Sequence, residues 1–345
     1  MAGAVKVLSK MQIGKETTKG TLVAATRRLV GDGRFSRVQE LHPFDDLDVG
    51  LYARTAQIPI LTRQGAMFEF RTPVDFTQLL WPLLSGMKGG VTGVGAGADK
   101  TWTFTPATAT GAVFDSYTLE FVESDGTNDA EMESGYLFCT EIEISGTTDG
   151  VGELRAQFAG RKATDSTLTG ALTVPALTYA ANLRWQGFVD STFALMAGAT
   201  PTAFATGQLY GFRWTWRDFI FPQYYLDGRV DLDFGAHESR RRTTELELDL
   251  VSDAAAAGFV QTQEAIKSAG TRQFIMMRLL GPTLGAANYK IDLQGSYVHL
   301  SDSMEQRGED RDGNLVTRAH LGSIYDPTST NDVQVIVVTD AATFP

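Results

Sequence analysis

The sequence contains almost no cysteine and few histidines. Cys139 is the only cysteine among 345 residues, which excludes an intrachain disulfide and a metal site built from several thiolates. The four histidines, His42, His237, His299 and His320, lie far apart and show no metal-ligand spacing. We therefore expect neither a metal site nor a cofactor.

Long apolar runs and clustered basic residues are also missing. No segment approaches the roughly 20 apolar residues of a membrane helix, and the N-terminus lacks the apolar core of a signal peptide. The formal net charge is −11, which argues against the gripping of DNA phosphates as a main activity. The sequence predicts a protein made in the cytoplasm that has no membrane partner.

Catalytic motifs are absent as well. The glycine-rich stretch Gly93–Gly97 lacks the preceding strand and following helix of a nucleotide-binding loop. Asp310–Asn314 lacks ligands of a calcium loop, and no serine sits in a nucleophile elbow. Carboxylates are plentiful, but no glycosidase pair stands out. We predict that the protein is not an enzyme.

Short alternating runs with 35 glycines are typical of a β-rich chain, and we predict a mainly β fold with a few helices (α+β). The clearest run is Gly135–Lys162, which alternates, breaks at Thr148–Gly150 and alternates again. A three-residue loop there pairs Ile144 with Leu154 and Glu143 with Arg155. The result is a hairpin with one apolar and one charged face.

The same alternation recurs in the second half of the chain. Glu141, Glu143, Glu153 and Arg155 share the charged face of the hairpin. Arg242–Val251 alternates leucines with three acids, which are Glu245, Glu247 and Asp249. A solvated sheet face explains such acids, although adjacent like charges on a sheet cost a few tenths of a kcal/mol. A function for the charge is the alternative.

Two helices are expected, one in each half. The first follows the spacing of Phe76, Leu79, Leu80, Leu83, Leu84 and Met87, with Thr72 as cap, and should pack on the apolar face of the hairpin. The second covers Ala254–Ser268 after the cap Asp253. Val335–Val338 is apolar on both faces, which indicates a central strand or an interface.

The order of strand, helix and strands occurs twice, over residues 51–162 and 242–340. We interpret this as a duplication with domains at 1–175 and 176–345, separated near a linker at Ala163–Tyr179. The alternative is a coincidence of two α+β domains. The first domain begins with an arm and a long loop, because residues 1–50 look polar and irregular.

Several segments resemble the tail tube (major tail) proteins of long-tailed bacteriophages. These are IGKETTKGT (Ile13–Thr21), VAATRRL (Val23–Leu29), GAMFEFRTPVDFTQLLWPLLSG (Gly65–Gly86), KTWTFTPA (Lys100–Ala107), SYTLEFVE (Ser116–Glu123) and the hairpin itself. The succession of motifs carries the resemblance, which covers about the first 165 residues. Unlike in some members, we expect no immunoglobulin-like domain at the C-terminus of this sequence.

The resemblance implies two tandem β-sandwich or barrel domains, each flanked by one helix. Sheets would join between copies into rings, and the rings would stack into a hollow tail tube that conducts DNA at ejection. A chain with two such domains is expected to form a trimeric ring with pseudo-sixfold symmetry, alternatively a hexamer. Further implied partners are the tail terminator, the baseplate or tail-tip proteins, and the tape measure protein and DNA in the lumen, held without tight binding. The expected location is the virion.

Two sets of residues are candidates for these roles. An acidic lumen would repel phosphate, and its candidates are Glu141, Glu143, Glu153, Arg155, Glu245, Glu247 and Asp249. Arg155 would leave this wall mixed in charge unless Glu143 neutralises it. Contacts between rings are assigned to Lys15, Arg27, Arg28, Asp45, Asp46 and Asp48.

Two other functions remain open. A receptor- or polysaccharide-binding virion protein could use Trp214, Trp216 and Tyr225 as a sugar platform. A glycan hydrolase would need a carboxylate pair in a cleft, which the sequence does not reveal.

Overall fold

The structure is a computed structural model. It describes residues 9–42, 60–108, 113–124, 129–148, 150–170, 172–178, 185–190, 202–204, 208–217, 223–225, 227–231, 233, 242–251, 259, 272–300, 309–311, 314–327 and 330–344. All statements below concern these residues.

The chain is mainly β, as predicted. The first half contains β1 (Lys10–Lys15), β2 (Arg27–Leu29), β3 (Asp32–His42), β4 (Ile60–Pro73), α1 (Leu80–Gly86), β5 (Lys100–Phe104), β6 (Tyr117–Ser124), β7 (Asp129–Thr147), β8 (Glu153–Gly160) and β9 (Ala163–Asp165). The second half contains β10 (Trp185–Asp190), β11 (Thr202–Ala203), β12 (Leu209–Arg217), β13 (Thr243–Val251), β14 (Gln273–Leu284), β15 (Ala287–His299), β16 (Glu309–Arg311), β17 (Asn314–Ser323) and β18 (Val333–Thr339).

One antiparallel sheet runs through both halves, and we call it the long sheet. Its strands follow the order β3, β4, β8, β7, β12, β13, β17, β16. The halves meet where β7 pairs with β12, from Glu141 opposite Arg217 to Thr147 opposite Gly211. We call this contact the seam. Two halves that were predicted as successive units therefore share a continuous sheet.

Two further layers cover the apolar face of the long sheet. In the first half the layer is β2, β1, β6, the beginning of β7, and β9. In the second half it is β11, β10, β14, β15, β18 and β5. The apolar strand β18 lies between β15 and β5, in agreement with the predicted central position. Because β5 belongs to the first half, this pairing joins the halves a second time.

The predicted hairpin register is confirmed. Ile144 lies opposite Leu154 and Glu143 lies opposite Arg155. Alternation sets this register, since a shift of one residue would bring the buried Ile144 to the charged face. The hairpin extends further back than expected, because β7 begins at Asp129 and passes from the cover layer into the long sheet.

A buried carboxylate fixes the point where β7 changes layers. Tyr136 has a positive φ of 56°, which a non-glycine residue adopts only at a cost. Its N–H donates to Oε1 of Glu16 over 2.7 Å. The same carboxylate accepts hydrogen bonds from Ser116 and Thr118 of the neighbouring strand. These bonds tie the first strand of the chain to the bend.

The first predicted helix forms, but it is shorter and begins later. α1 spans only Leu80–Gly86, and Thr72 still belongs to β4. Asp75 opens the preceding turns instead, because its Oδ1 accepts the N–H groups of Thr77 and Gln78. Pro82 fits because it lies in the first helical turn, where its missing N–H has no intrahelical partner.

The core lies between the long sheet and its cover layers, with α1 packed inside it. All six apolar residues that predicted the helix are buried. Trp81 stacks on Phe158 of β8 with ring centroids 4.1 Å apart, and Cys139 of β7 donates its N–H to Ser85 Oγ. The predicted packing of the helix on the apolar face of the hairpin is therefore confirmed.

The interpretation of the first 50 residues as an arm and a loop was wrong where the structure describes them. Met11 and Ile13 of β1 are buried in the core, and β3 pairs along its whole length with β4. The polar residues misled because β1 is short and β3 is largely exposed. The remaining residues of this segment, 1–8 and 43–50, lie outside the described residues.

Most of the second predicted helix lies outside the described residues. Within Ala254–Ser268 the structure describes only Phe259, which is helical and packs on Phe204 with ring centroids 5.5 Å apart. No helix in the described part of the chain is long and apolar enough to cross a membrane.

Strand pairings of the first half recur in the second. β1–β6, β6–β7, β7–β8, β4–β8 and β3–β4 correspond to β10–β14, β14–β15, β15–β17, β13–β17 and β12–β13, all antiparallel. In this correspondence Arg155 of β8, opposite Arg71, matches Arg318 of β17, opposite Asp249. Similarly, Arg34 matches Arg213, since each lies opposite a glutamate of the next strand.

Candidate functional site

The outer face of the long sheet gathers the charged residues of seven strands, and we call it the charged face. Alternation along each strand places these side chains opposite the core. Cross-strand pairing puts all seven predicted lumen residues on this one face. Their exposed or half-buried side chains contrast with the buried leucines and isoleucines that alternate with them.

Arginines of the second half meet glutamates of the first at the seam. Arg217 Nε donates to Glu141 Oε2 over 3.1 Å, and its Nη2 donates to Oε1 over 3.4 Å. Arg213 lies 3.9 Å from Glu143 and 3.6 Å from Glu247. The hydrogen bonding of Arg217 to the carboxylate of Glu141 raises the pKa of Arg217 above its ordinary value. Opposite charges therefore hold the two halves in register.

The first half neutralises Arg155 in an unexpected way. Arg155 Nε donates to Glu69 Oε1 over 2.8 Å, and Arg71 contacts the same oxygen at 2.6 Å. The expected partner Glu143 lies directly opposite in the register but pairs with Arg213 instead. Arg155 therefore bonds towards β4, on the other side of β8. Hydrogen bonding by Arg71 lowers the pKa of Glu69, and the charge of Arg155 adds to the effect.

Acids of the second half are paired in the same manner. Arg318 Nε donates to Asp249 Oδ1 over 2.7 Å. Glu245 lies 3.9 Å from Arg217 and 3.5 Å from His320. Together with Arg213–Glu247, these contacts give each of the three predicted acids of β13 a basic neighbour. In contrast, Glu153 is exposed at the start of β8.

The charged face is close to balance rather than acidic. The acids Asp32, Glu69, Glu141, Glu143, Glu153, Glu245, Glu247 and Asp249 face the arginines Arg34, Arg71, Arg155, Arg213, Arg217 and Arg318. The chain's charge of −11 is therefore not concentrated here. Arginines that bond to carboxylates are poor ligands for phosphate, because a polyanion would first have to displace the carboxylate.

One arginine of this face stands apart. Arg34 is exposed on β3 and makes no ion pair with any described residue. β3 pairs only with β4, and none of the described strands lies along its other edge. An open cleft of about 420 Å³ lies at this edge, lined by Ser9, Asp32, Gly33, Arg34, Glu69, Arg71, Phe121 and Glu123.

The predicted ring-to-ring residues are scattered. Lys15 pairs with Asp115 over 2.8 Å. Arg27 lies partly buried above the ring of Phe344, at 4.6 Å from its centroid, and burial lowers its pKa. Arg28 is half-buried in β2. The three acids Asp45, Asp46 and Asp48 lie outside the described residues.

Two of the three aromatic residues of the expected sugar platform are inaccessible to a ligand. Trp214 and Trp216 are buried, and Trp216 donates its indole N–H to Gly86 O over 3.0 Å. Only Tyr225 is exposed. The aromatic residues Phe212, Trp214 and Trp216 of β12 belong to the core.

No family model and no curated protein matches the sequence. The described residues contain no group of three or more potential metal ligands.

Sequence reasoning missed the basic half of this face. Arg71, Arg213, Arg217 and Arg318 were not selected, although β4 and β12 alternate as clearly as the hairpin. The alternation of FRWTWR (Phe212–Arg217) carries the signal. The aromatic residues of this segment suggested a sugar platform, whereas the arginines that alternate with them belong to the charged face.

Proposed function

We propose that this chain is a structural virion protein of the tail tube type, whose copies join through the long sheet into rings that stack as a hollow conduit for DNA. Three copies per ring would present six equivalent sheet segments, with a hexamer as the alternative. In this proposal the chain is two tandem tube-type domains with boundaries near 175, and α1 and the segment around Phe259 flank them.

The seam is the observation that carries the proposal. In the seam, one half adds the edge strand β12 to the edge strand β7 of the other half. The strand that matches β12 in the first half is β3, whose outer edge pairs with none of the described strands. At the opposite end, the outermost described strand is β16, which pairs only with β17 among the described strands. A contact of the same kind can therefore repeat from copy to copy, and it closes into a ring when the rotation allows.

The charged face would line the lumen. Its arginines other than Arg34 are held by carboxylates, so DNA would find little free positive charge to bind, and it would slide past the wall. This replaces the purely acidic wall with one whose charges are paired. The tape measure protein would occupy the same lumen before DNA, and the terminator and tail-tip proteins would close the two ends of the tube.

Electron microscopy of the purified full-length protein tests the proposal. We expect rings or tubes with a central channel and threefold or pseudo-sixfold symmetry. A protein that remains monomeric at all concentrations, and in the presence of tail-tip proteins, would contradict it. Changing the exposed Glu153 to Lys, which leaves the seam pairs of Glu141 and Glu143 intact, should hinder DNA ejection more than tube assembly, and unchanged infectivity would count against the lumen assignment.

A further inference from the structure

β8 of the first half and β17 of the second half can be aligned residue by residue. Where β7 changes layers beside β8, Arg161 donates its N–H to Gly135 O over 3.0 Å. Where β15 changes layers beside β17, Ile324 donates its N–H to Ser296 O over 2.8 Å. The alignment that these two bonds give agrees with the strand pairings that recur in the two halves.

In this alignment β16 stands where the end of β7 stands in the first half. Ser145 of β7 lies opposite Glu153 of β8, and Glu309 of β16 lies opposite Val316, the residue of β17 that matches Glu153. The three residues of β16 therefore match the last three residues of β7. At the seam this end of β7 pairs with the beginning of β12. Because β3 matches β12, an equivalent contact between two copies would pair β16 with the beginning of β3.

The seam also gives the register of such a contact. Ser145 lies opposite Arg213 at the seam, and Arg34 of β3 matches Arg213. An equivalent contact therefore puts Glu309 of one copy opposite Arg34 of the next. Arg34 is the exposed arginine of the charged face that makes no ion pair with any described residue. A carboxylate directly opposite on a neighbouring strand would stabilise it.

A second pair of opposite charges follows two positions along the strands. The same register puts Arg311 of β16 opposite the exposed Asp32 of β3. A shift of two residues would keep each strand's faces but bring Arg311 opposite Arg34 in one direction and Glu309 opposite Asp32 in the other. Both shifts oppose like charges, which is unfavourable across a strand pair. The charges of the two strands thus favour a single register.

The sizes of the residues behind the strands are complementary as well. At the seam Gly146 makes room for two aromatic rings, since a Cβ there would lie 2.5 Å from Trp185 and 2.6 Å from Phe212. The residues that match these aromatics at the outer edge are the small Ser9 and Gly33, and both line the open cleft of about 420 Å³. A strand that approaches β3 can therefore carry a larger residue than glycine at this place, and β16 carries an aspartate there.

We propose that β16 of one copy pairs antiparallel with the first three residues of β3 of a neighbouring copy, with Glu309 opposite Arg34. Arg311 then lies opposite Asp32. The proposal rests on the proposed function in that copies join through the long sheet, and it adds the partner strand and the register. The contact is heterologous, because each copy contributes β3 at one end of its sheet and β16 at the other, so a ring of three copies contains three such contacts.

Charge reversal tests the central pair. In the full-length protein, Arg34→Glu and Glu309→Arg should each weaken ring formation about tenfold in sedimentation velocity, because each brings two like charges together. The two changes in one chain should restore assembly, since every contact between copies again holds one acid and one base. Circular dichroism and thermal unfolding show that each variant folds. A combined variant that assembles no better than the single ones would contradict the pairing of these two residues.

Cysteine pairs measure the register directly. With Arg34→Cys and Glu309→Cys in one chain, mild oxidation of the assembled protein should link copies into dimers and trimers on a non-reducing gel. Residues directly opposite in an antiparallel pair have Cβ atoms about 4.5–5.5 Å apart, which a disulfide can bridge after a small adjustment. Arg34→Cys with Arg311→Cys is the off-register control and should link far less. The native Cys139 is buried and does not compete.

The outcomes separate this contact from the proposed function. If the wild type forms rings and the control pair links as well as or better than the pair at 34 and 309, the register is refuted while the proposed function stands. If the wild type forms rings and neither pair links, the contact between β3 and β16 is refuted, again without loss of the proposed function. If the wild type forms no assembly at all, both are refuted.

Discussion

β12 at the seam and β3 at the outer edge show how a neighbouring strand changes the surroundings of side chains at the same strand position. β12 and β3 occupy matching places in the two halves, each beside a strand with outward glutamates. On β12, Trp214 is fully buried and Arg213 lies between two carboxylates. On β3, the matching Phe35 is only partly buried and Arg34 is exposed. Both strands alternate in the same way. Their burial differs because β7 pairs with β12, whereas no described strand pairs with the outer edge of β3.

This comparison bears on assembly. An edge strand with an alternating, largely polar sequence is stable in water but keeps its backbone groups available for pairing. β3 has that character, with exposed residues at most positions from Arg37 to His42. An open edge of eleven residues is otherwise a liability, which proteins limit by shortening, prolines or coverage. We infer that a second copy provides the coverage that β7 provides to β12.

The largest difference is expected at the aromatic positions. Trp214→Ala removes a buried ring between Ile144 and Leu246 and should cost about 3–5 kcal/mol in the free energy of unfolding. Phe35→Ala should cost only about 1–2 kcal/mol, because the ring is partly exposed and stacks on Phe121 alone among the described aromatics. Chemical denaturation of the unassembled protein measures both. Equal losses would show that the two edges do not differ in packing.

Reversal of the charge at the seam should have the next largest effect. Arg217→Glu removes the two hydrogen bonds to Glu141 and brings a new carboxylate near Glu245. We expect a loss of about 1–2 kcal/mol, limited by the partial exposure of the pair. Adding Glu141→Arg should restore part of the loss, and high salt should shrink the difference. Lack of any rescue would mean that the pair does not hold the seam.

Much of this architecture could be predicted from local sequence, and the reasons for success and failure are physical. The register of β7 and β8 followed from alternation, because a one-residue shift would expose Ile144 and bury Glu143. The choice of ion pairs did not follow. Glu143 lies directly opposite Arg155 on β7, and Glu69 lies diagonally from it on β4, a strand distant in sequence. The long side chain of Arg155 can reach either carboxylate, and it bonds to Glu69. Such choices depend on strand order, which one sequence does not specify.

The cap of the first helix was mispredicted for a similar reason. Thr72 and Pro73 satisfy local preferences for a helix start, yet both are the last residues of strand β4. β8 continues to pair with β4 as far as Pro73, so the sheet prevails over the cap. Asp75 then bonds the N–H of Thr178 as well as the turn, which also explains why the predicted linker is held against the first half.

A smaller effect is expected from acid titration of the first half. The pKa of Glu69 is lowered by Arg71 and Arg155, so its bonds stabilise the fold above the ordinary glutamate pKa of about 4.3 and are lost as the pH falls through the lowered value. Glu69→Gln should therefore reduce stability at neutral pH by a few tenths of a kcal/mol and flatten the loss of stability as the pH falls below the ordinary glutamate pKa of about 4.3. Unfolding curves across this range measure the slope. A slope identical to that of the wild type would rule out the bridging role.

The smallest effect on the isolated chain is expected at Arg34, and it separates the two edges most cleanly. Arg34→Glu should change the free energy of unfolding of the monomer by less than about 0.5 kcal/mol, because the side chain is exposed and has no described ionic partner. Arg213→Glu, its match at the seam, should cost more, since it faces Glu143 and Glu247. Assembly reverses the ranking. If a neighbouring copy covers β3, Arg34→Glu weakens ring formation in sedimentation velocity although the monomer is intact, and an unaffected assembly would show that β3 stays open in the ring.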